Sequence, residues 1–168
     1  FHVTLRSEPG LAFEFIASTN ATIAAADWVN LFAVTNVTGT ILLTSGQIQI
    51  SDALTIVGPG ADKLTISGPE PDAGNSRIFS IFLTSPSCPP PANLDGPDYR
   101  VSISGVTLTK GRRSTDNNGG AIFSEHSLEL DSVVIRSSVA RSGGGVSVSL
   151  QYPGQSVTVT NSQFIANV

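Results

Sequence analysis

One pattern of apolar residues occurs three times at nearly constant spacing, and it limits the possible folds more than any single motif. Val157, Val159, Asn161, Phe164 and Asn167 follow Leu128, Leu130, Ser132, Ile135 and Ser138 by 29 residues, and these follow Val101, Ile103, Gly105, Leu108 and Gly111 by 27. Each copy has two apolar residues at i and i+2, the period of a strand, and a third at i+7. Self-similarity at roughly 20 to 50 residues marks stacked structural units. A period of this length holds about three short strands, so the chain is expected to wind one coil per repeat. Each strand then lies beside its equivalent in the coil before, and the inward apolar residues form columns. This predicts an all-β chain folded as a parallel β-helix. Equivalent positions about 4.8 Å apart across coils would let Asn161 and Ser132 form a side-chain ladder at a bend.

Short period-2 pairs continue towards the N-terminus: Ile41 and Leu43, Ile48 and Ile50, Leu54 and Ile56, Leu64 and Ile66. Gly58-Pro59-Gly60 and Gly68-Pro69 punctuate them as turns. Ahead of these pairs the pattern changes. Phe1, Val3 and Leu5, then Leu11, Phe13 and Phe15, alternate on either side of a Ser7-to-Gly10 turn and read as two short strands. Ile23, Ala26, Trp28, Leu31 and Phe32 lie near helical spacing, with Asn20 placed as an N-cap, and predict a short helix over 21–34. The expected organisation is residues 1–38 as N-terminal strands and a cap helix, then residues 39–168 as coils. Residues 84–99 carry five prolines and read as a Pro-rich loop inserted into the coils. The cap helix and the 1–15 strands would cover open coil ends, and the 1–15 strands are a candidate connector to a neighbouring copy.

Gly119-Gly120-Ala121-Ile122 and Gly143-Gly144-Gly145-Val146 fall between the copies, each opening a further strand, and Phe164-Ile165-Ala166-Asn167 closes the last one. On these motifs residues 40–168 resemble the GGA(I/V) and FxxN repeats of polymorphic outer-membrane proteins, within the pectate-lyase-like class. The resemblance implies a right-handed β-helix on a cell surface or outside the cell. The class includes adhesins, surface passengers, structural proteins and polysaccharide-cleaving enzymes, so fold alone does not choose a function.

Charged residues are 13% of the chain, where about 25% is usual. The net charge is -4, and the basic residues are scattered apart from Lys110, Arg112 and Arg113. No broad positive surface for nucleic acid is expected. No apolar run reaches the roughly 18 residues of a membrane span. Cys88 is the one cysteine, so no internal disulfide or cysteine-based metal site is expected. The chain has no Met and begins at Phe1, which reads as a processed or partial chain and favours export. Asn20-Ala21-Thr22 and Asn36-Val37-Thr38 are N-glycosylation sequons.

The lyases of the resembled class imply clustered carboxylates holding calcium and a basic residue that takes a proton. Calcium needs six to eight oxygens. Asp116, Glu125, Glu129 and Asp131 do not recur at coil spacing, so no cofactor or metal is expected. The remaining candidate is the Lys110–Gly120 loop, where Lys110, Arg112, Arg113 and Asp116 could bind a ligand. His126 reads as a surface histidine. No GxSxG elbow supports a nucleophile. The expected function is therefore an extracellular, non-catalytic structural or adhesive module, with a polysaccharide lyase or hydrolase, or a piece of a larger surface adhesin, as alternatives. Expected partners are copies of itself, stacked end to end, or cell-surface carbohydrate or protein.

Overall fold

The short alternating pairs form short strands. In a computed structural model that describes residues 37–44, 46–51, 53–69, 76–82, 100–113 and 118–168, thirteen strands follow one another with no helix among the described residues. They are β1 (Gly39–Leu42), β2 (Ile48–Ile50), β3 (Leu54–Val57), β4 (Leu64–Ser67), β5 (Phe79–Ile81), β6 (Arg100–Ser104) and β7 (Thr107–Thr109), followed by β8 (Ile122–Ser124), β9 (Ser127–Asp131), β10 (Val134–Arg136), β11 (Val146–Val148), β12 (Val157–Thr160) and β13 (Gln163–Ile165). The expected N-terminal strands, the 21–34 helix and the 84–99 insertion lie outside the described residues.

The chain visits three sheets in strict rotation. Their strand orders are β1-β4-β7-β10-β13, β2-β5-β8-β11 and β3-β6-β9-β12. Every pair is parallel. This path is compatible with a parallel β-helix, and its registers are those of the sequence repeat. Val101 pairs with Leu128 and Ile103 with Leu130. Leu128 pairs in turn with Val157 and Leu130 with Val159. In the five-stranded sheet Ile66, Leu108, Ile135 and Phe164 occupy successive strands. Inward residues at one position therefore stack as columns, because a one-residue slip would turn every apolar side chain outward.

Val101, Ile103, Leu108, Leu128, Leu130 and Ile135 are all buried. Val157 and Val159 hold the same register but are 41% and 45% exposed, because β12 is the outermost strand of its sheet. The β2-β5-β8-β11 sheet interrupts one column with a hydroxyl: Ser124 sits beyond Ile81 and is fully buried. Its Oγ donates to His126 O (2.8 Å) and accepts from His126 N (3.2 Å), so the polar group is paired.

The corners repeat as faithfully as the strands. Gly105, Ser132 and Asn161 occupy one corner at φ 61°, 54° and 50°, and Lys110, Ser137 and Ala166 another at 57°, 52° and 50°. Left-handed backbone costs a non-glycine residue about 1–2 kcal/mol. At the first corner Asp131 offsets part of that cost: it accepts bonds from Asn161 Nδ2 (2.9 Å), Ser132 Oγ (3.3 Å) and Thr160 Oγ1 (2.6 Å). The ladder expected of Asn161 and Ser132 thus runs through a carboxylate, which these bonds hold below its ordinary titration range.

Candidate functional site

The repeat motif builds corners. Gly119 and Gly143 have φ 72° and 61°, a region that L side chains resist. Gly120 is needed for closeness: a Cβ there would fall on Gly144 O and lie 2.8 Å from Val139 N and O. Gly144 repeats this one coil on, against Val168 O. Ala121 and Ile122 are then delivered into the core, both fully buried, with Val146 in register beyond Ile122. Gly145 replaces the alanine where a Cβ would come within 3.2–3.3 Å of the Asn167 side chain. Asn167 closes the motif by bonding the coil before it. Its Oδ1 accepts from Ser138 N (3.1 Å) and its Nδ2 donates to Ile135 O (2.9 Å). Ser138, at the equivalent place one coil earlier, accepts from Gly111 N (3.2 Å). These residues satisfy backbone groups and let successive corners approach closely.

The candidate ligand loop does not converge on one site. Arg112 forms an isolated bridge with Val139, and Arg113 N donates to Val139 O (2.8 Å), so both are tied to the following coil. Asp116 lies outside the described residues. Arg113 stands close enough to act electrostatically on Arg77, a residue that sequence reasoning did not single out. Arg77 is 6% exposed, and burial, with the nearby Arg113 charge second, brings its pKa down to about 10. Its Nη2 donates to Asn118 O (2.9 Å) and its Nε to Asn118 O and Gly119 O (3.1 and 3.2 Å), with the guanidinium 4.9 Å above the Phe123 ring. The register of Phe79 on Ile122 puts Ser76-Arg77-Ile78-Phe79 at the motif's place one coil earlier. Arg77 therefore occupies Gly120's position and pins the start of the next motif.

Lys110 belongs elsewhere. It lies on the outer face of the five-stranded sheet and lines a shallow groove of about 380 Å³. Thr40 from β1, Thr65 and Ser67 from β4, Thr109 from β7 and Ser137 after β10 supply hydroxyls to this groove, and Lys110 and Arg136 supply two cations. Register explains the alignment: Thr40 pairs with Thr65, Ser67 with Thr109, and Thr109 with Arg136. Ser67 and Thr109 are buried at its floor, whereas Lys110 and Arg136 are exposed.

His126, expected on the surface, is buried. The corner that holds it is overlaid by the next coil, where Ser149 N bonds Ser124 O (2.8 Å) and Gln155 Nε2 bonds Glu125 O (3.1 Å). Asn20 and Asn36 of the two sequons lie outside the described residues. Among the described residues no three His, Cys, Asp or Glu side chains gather where a metal ion could bind them, and no helix is long and apolar enough to cross a membrane. At the last coil Val157, Val159, Phe164, Ile165 and Val168 are all more than two-fifths exposed, and among the described residues β11, β12 and β13 each have an unpaired edge. Comparison with protein-family models, curated proteins and solved structures finds no match to the chain.

Proposed function

We propose that the chain is an extracellular, non-catalytic, right-handed parallel β-helix module, structural or adhesive in kind, that stacks end to end with copies of itself. The observation that carries this reading is the last coil. Its exposed Val157, Val159 and Phe164 continue the buried columns of Leu128, Leu130 and Ile135 in register, so a further coil, of the same protein or of a second copy, would extend them. Parallel strands are normally covered, and an open edge leaves a row of N–H and C=O groups to pair. β1, β2 and β3 stand at the opposite ends of the same three sheets, and the 1–15 strands that precede them are the connector expected to meet the last coil of the next copy. A head-to-tail contact that continues the coil axis does not close into a ring, and its repetition gives a filament. The resemblance of the glycine and FxxN motifs to surface β-helix proteins supports the right hand and the extracellular setting.

The test is sedimentation and electron microscopy of the full chain beside Val159→Asp, which places a charge at the open end of the Leu130 column, with circular dichroism of both proteins showing whether the fold is kept. The reading expects species well above the 17.4 kDa chain mass that grow with concentration and are lost in the variant. Monomers of the parent chain at high concentration would overturn stacking and leave a piece of a larger surface protein as the account of the open face.

A further inference from the structure

We infer that residues 1–15 supply the two strands a second copy needs to dock in phase on the last coil, so that β1 of that copy lies beside β13. The inference rests on the end-to-end stacking proposed above and names the contact. The outer column through Leu42, Ser67, Thr109, Arg136 and Ile165 is apolar only at its two ends. Leu42 and Ile165 are 49% and 47% exposed. Beside it the inner column of Ile41, Ile66, Leu108, Ile135 and Phe164 is apolar throughout and ends on an exposed Phe164. Setting β1 of a second copy against β13 continues both columns. Ile41 then meets Phe164, and Leu42 meets Ile165, an apolar cross-strand pair that takes both side chains out of water.

Strand order sets what must lie between the copies. The chain visits the three sheets in rotation, so the strands that would follow β13 in the same winding lie on β11 and then on β12, and only the third returns to β13. The thirteen described strands make four coils and one strand over. A copy joined directly has to place β1 on β11, a rotation by one sheet that separates Leu42 from Ile165. A copy joined with β1 on β13 instead leaves two strand positions to fill, on β11 and β12. Residues 1–15 hold two expected strands, with Phe1, Val3 and Leu5 and then Leu11, Phe13 and Phe15 on one face, in the chain order that those positions require. Burial at the first coil agrees: Ile50 is 2% exposed although β2 is the outermost described strand of its sheet, the side on which residues 1–5 would lie. The stretch between these strands and β1 is then an excursion at one corner. Corners accept such lengths, since eighteen residues separate β5 from β6 where two separate β8 from β9.

Helical reconstruction from electron micrographs of the full chain reads the phase. Fifteen strands make five coils, an axial rise of about 24 Å per chain at about 4.8 Å per coil, with no change of sheet between copies. Direct contact of thirteen strands gives about 21 Å and a rotation of a third of a turn. Cysteine pairs in a Cys88→Ser background locate the strands. Thr40→Cys with Gln163→Cys should link neighbouring copies by a disulfide, because the continued register sets these residues opposite each other. Ser147→Cys should link to His2→Cys or to Thr4→Cys, the positions that alternate with the apolar residues of the first expected strand. A rise near 21 Å, a link between Thr40→Cys and Ser147→Cys, or no link from either His2→Cys or Thr4→Cys would overturn the inference and leave stacking intact. Monomers that form no link would overturn both.

Discussion

Replacing Leu130 by alanine tests the column on which the core argument depends. Leu130 is fully buried, with Ile103 of β6 on one side, 1% exposed, and Val159 of β12 on the other. The change removes three carbons. At about 0.8 kcal/mol per buried methylene the transfer loss is about 2.4 kcal/mol. A neighbouring coil on each side limits collapse into the space, and the cavity raises the expected loss to about 3–4 kcal/mol. Glu129, one residue earlier, faces outward, with its side chain 41% exposed and 3.8 Å from Arg100 Nη1. Glu129→Ala should cost less than about 1 kcal/mol. Urea unfolding followed by circular dichroism compares the two. A loss below about 1 kcal/mol for Leu130→Ala, or a larger loss for Glu129→Ala, would refute the inward assignment of Leu130 and with it the register.

Three further outcomes follow from particular contacts. Gly120→Ala should destabilise the chain by about 2 kcal/mol or more, since its Cβ would strike the backbone at Gly144 and Val139; an unchanged melting temperature would count against the close approach of those coils. The Asp131 carboxylate is held low by its bonds from Thr160, Asn161 and Ser132, so its contribution to the last coil is present above the ordinary value of 3.8 and is lost as pH falls through the lowered value. Amide exchange at 157–162 should rise in that acid window, and Asp131→Asn should remove the pH dependence; the same acid response in the variant would assign it to another group. Acidic and neutral polysaccharides, with or without calcium, should release no reducing or unsaturated sugar ends; release abolished by Arg113→Ala would move the Lys110–Gly120 stretch into an active site.

How far the fold could be read from the residues depended on contrast between the two faces of each strand. Val101/Ile103, Leu128/Leu130 and Val157/Val159 alternate with polar residues, so their register was visible as offsets of 27 and 29 before any coordinates. β5 was not visible in this way. Ile78, Phe79 and Ile81 are all fully buried, and a run apolar on both faces has no period to detect. Missing β5 also hid Arg77, which stands one residue before that run at the position glycine occupies in the next two coils. His126 was misplaced because its burial comes from Ser149 and Gln155, more than twenty residues further on. The groove was invisible for the same reason: Thr40, Thr65, Thr109 and Arg136 become neighbours only when the parallel register is known. The motif glycines and Asn167 were legible as positions, but their roles depend on Gly144 O, Val168 O and the backbone of Ser138.

The register of β6, β9 and β12 supports the core and the open last coil alike, and nuclear Overhauser contacts between side chains measure it directly. The parallel arrangement predicts cross-peaks joining Val101 to Leu128, Ile103 to Leu130 and Leu130 to Val159. Cross-peaks joining Val101 to Leu130 and Ile103 to Leu128, the pairing of antiparallel strands, would contradict it.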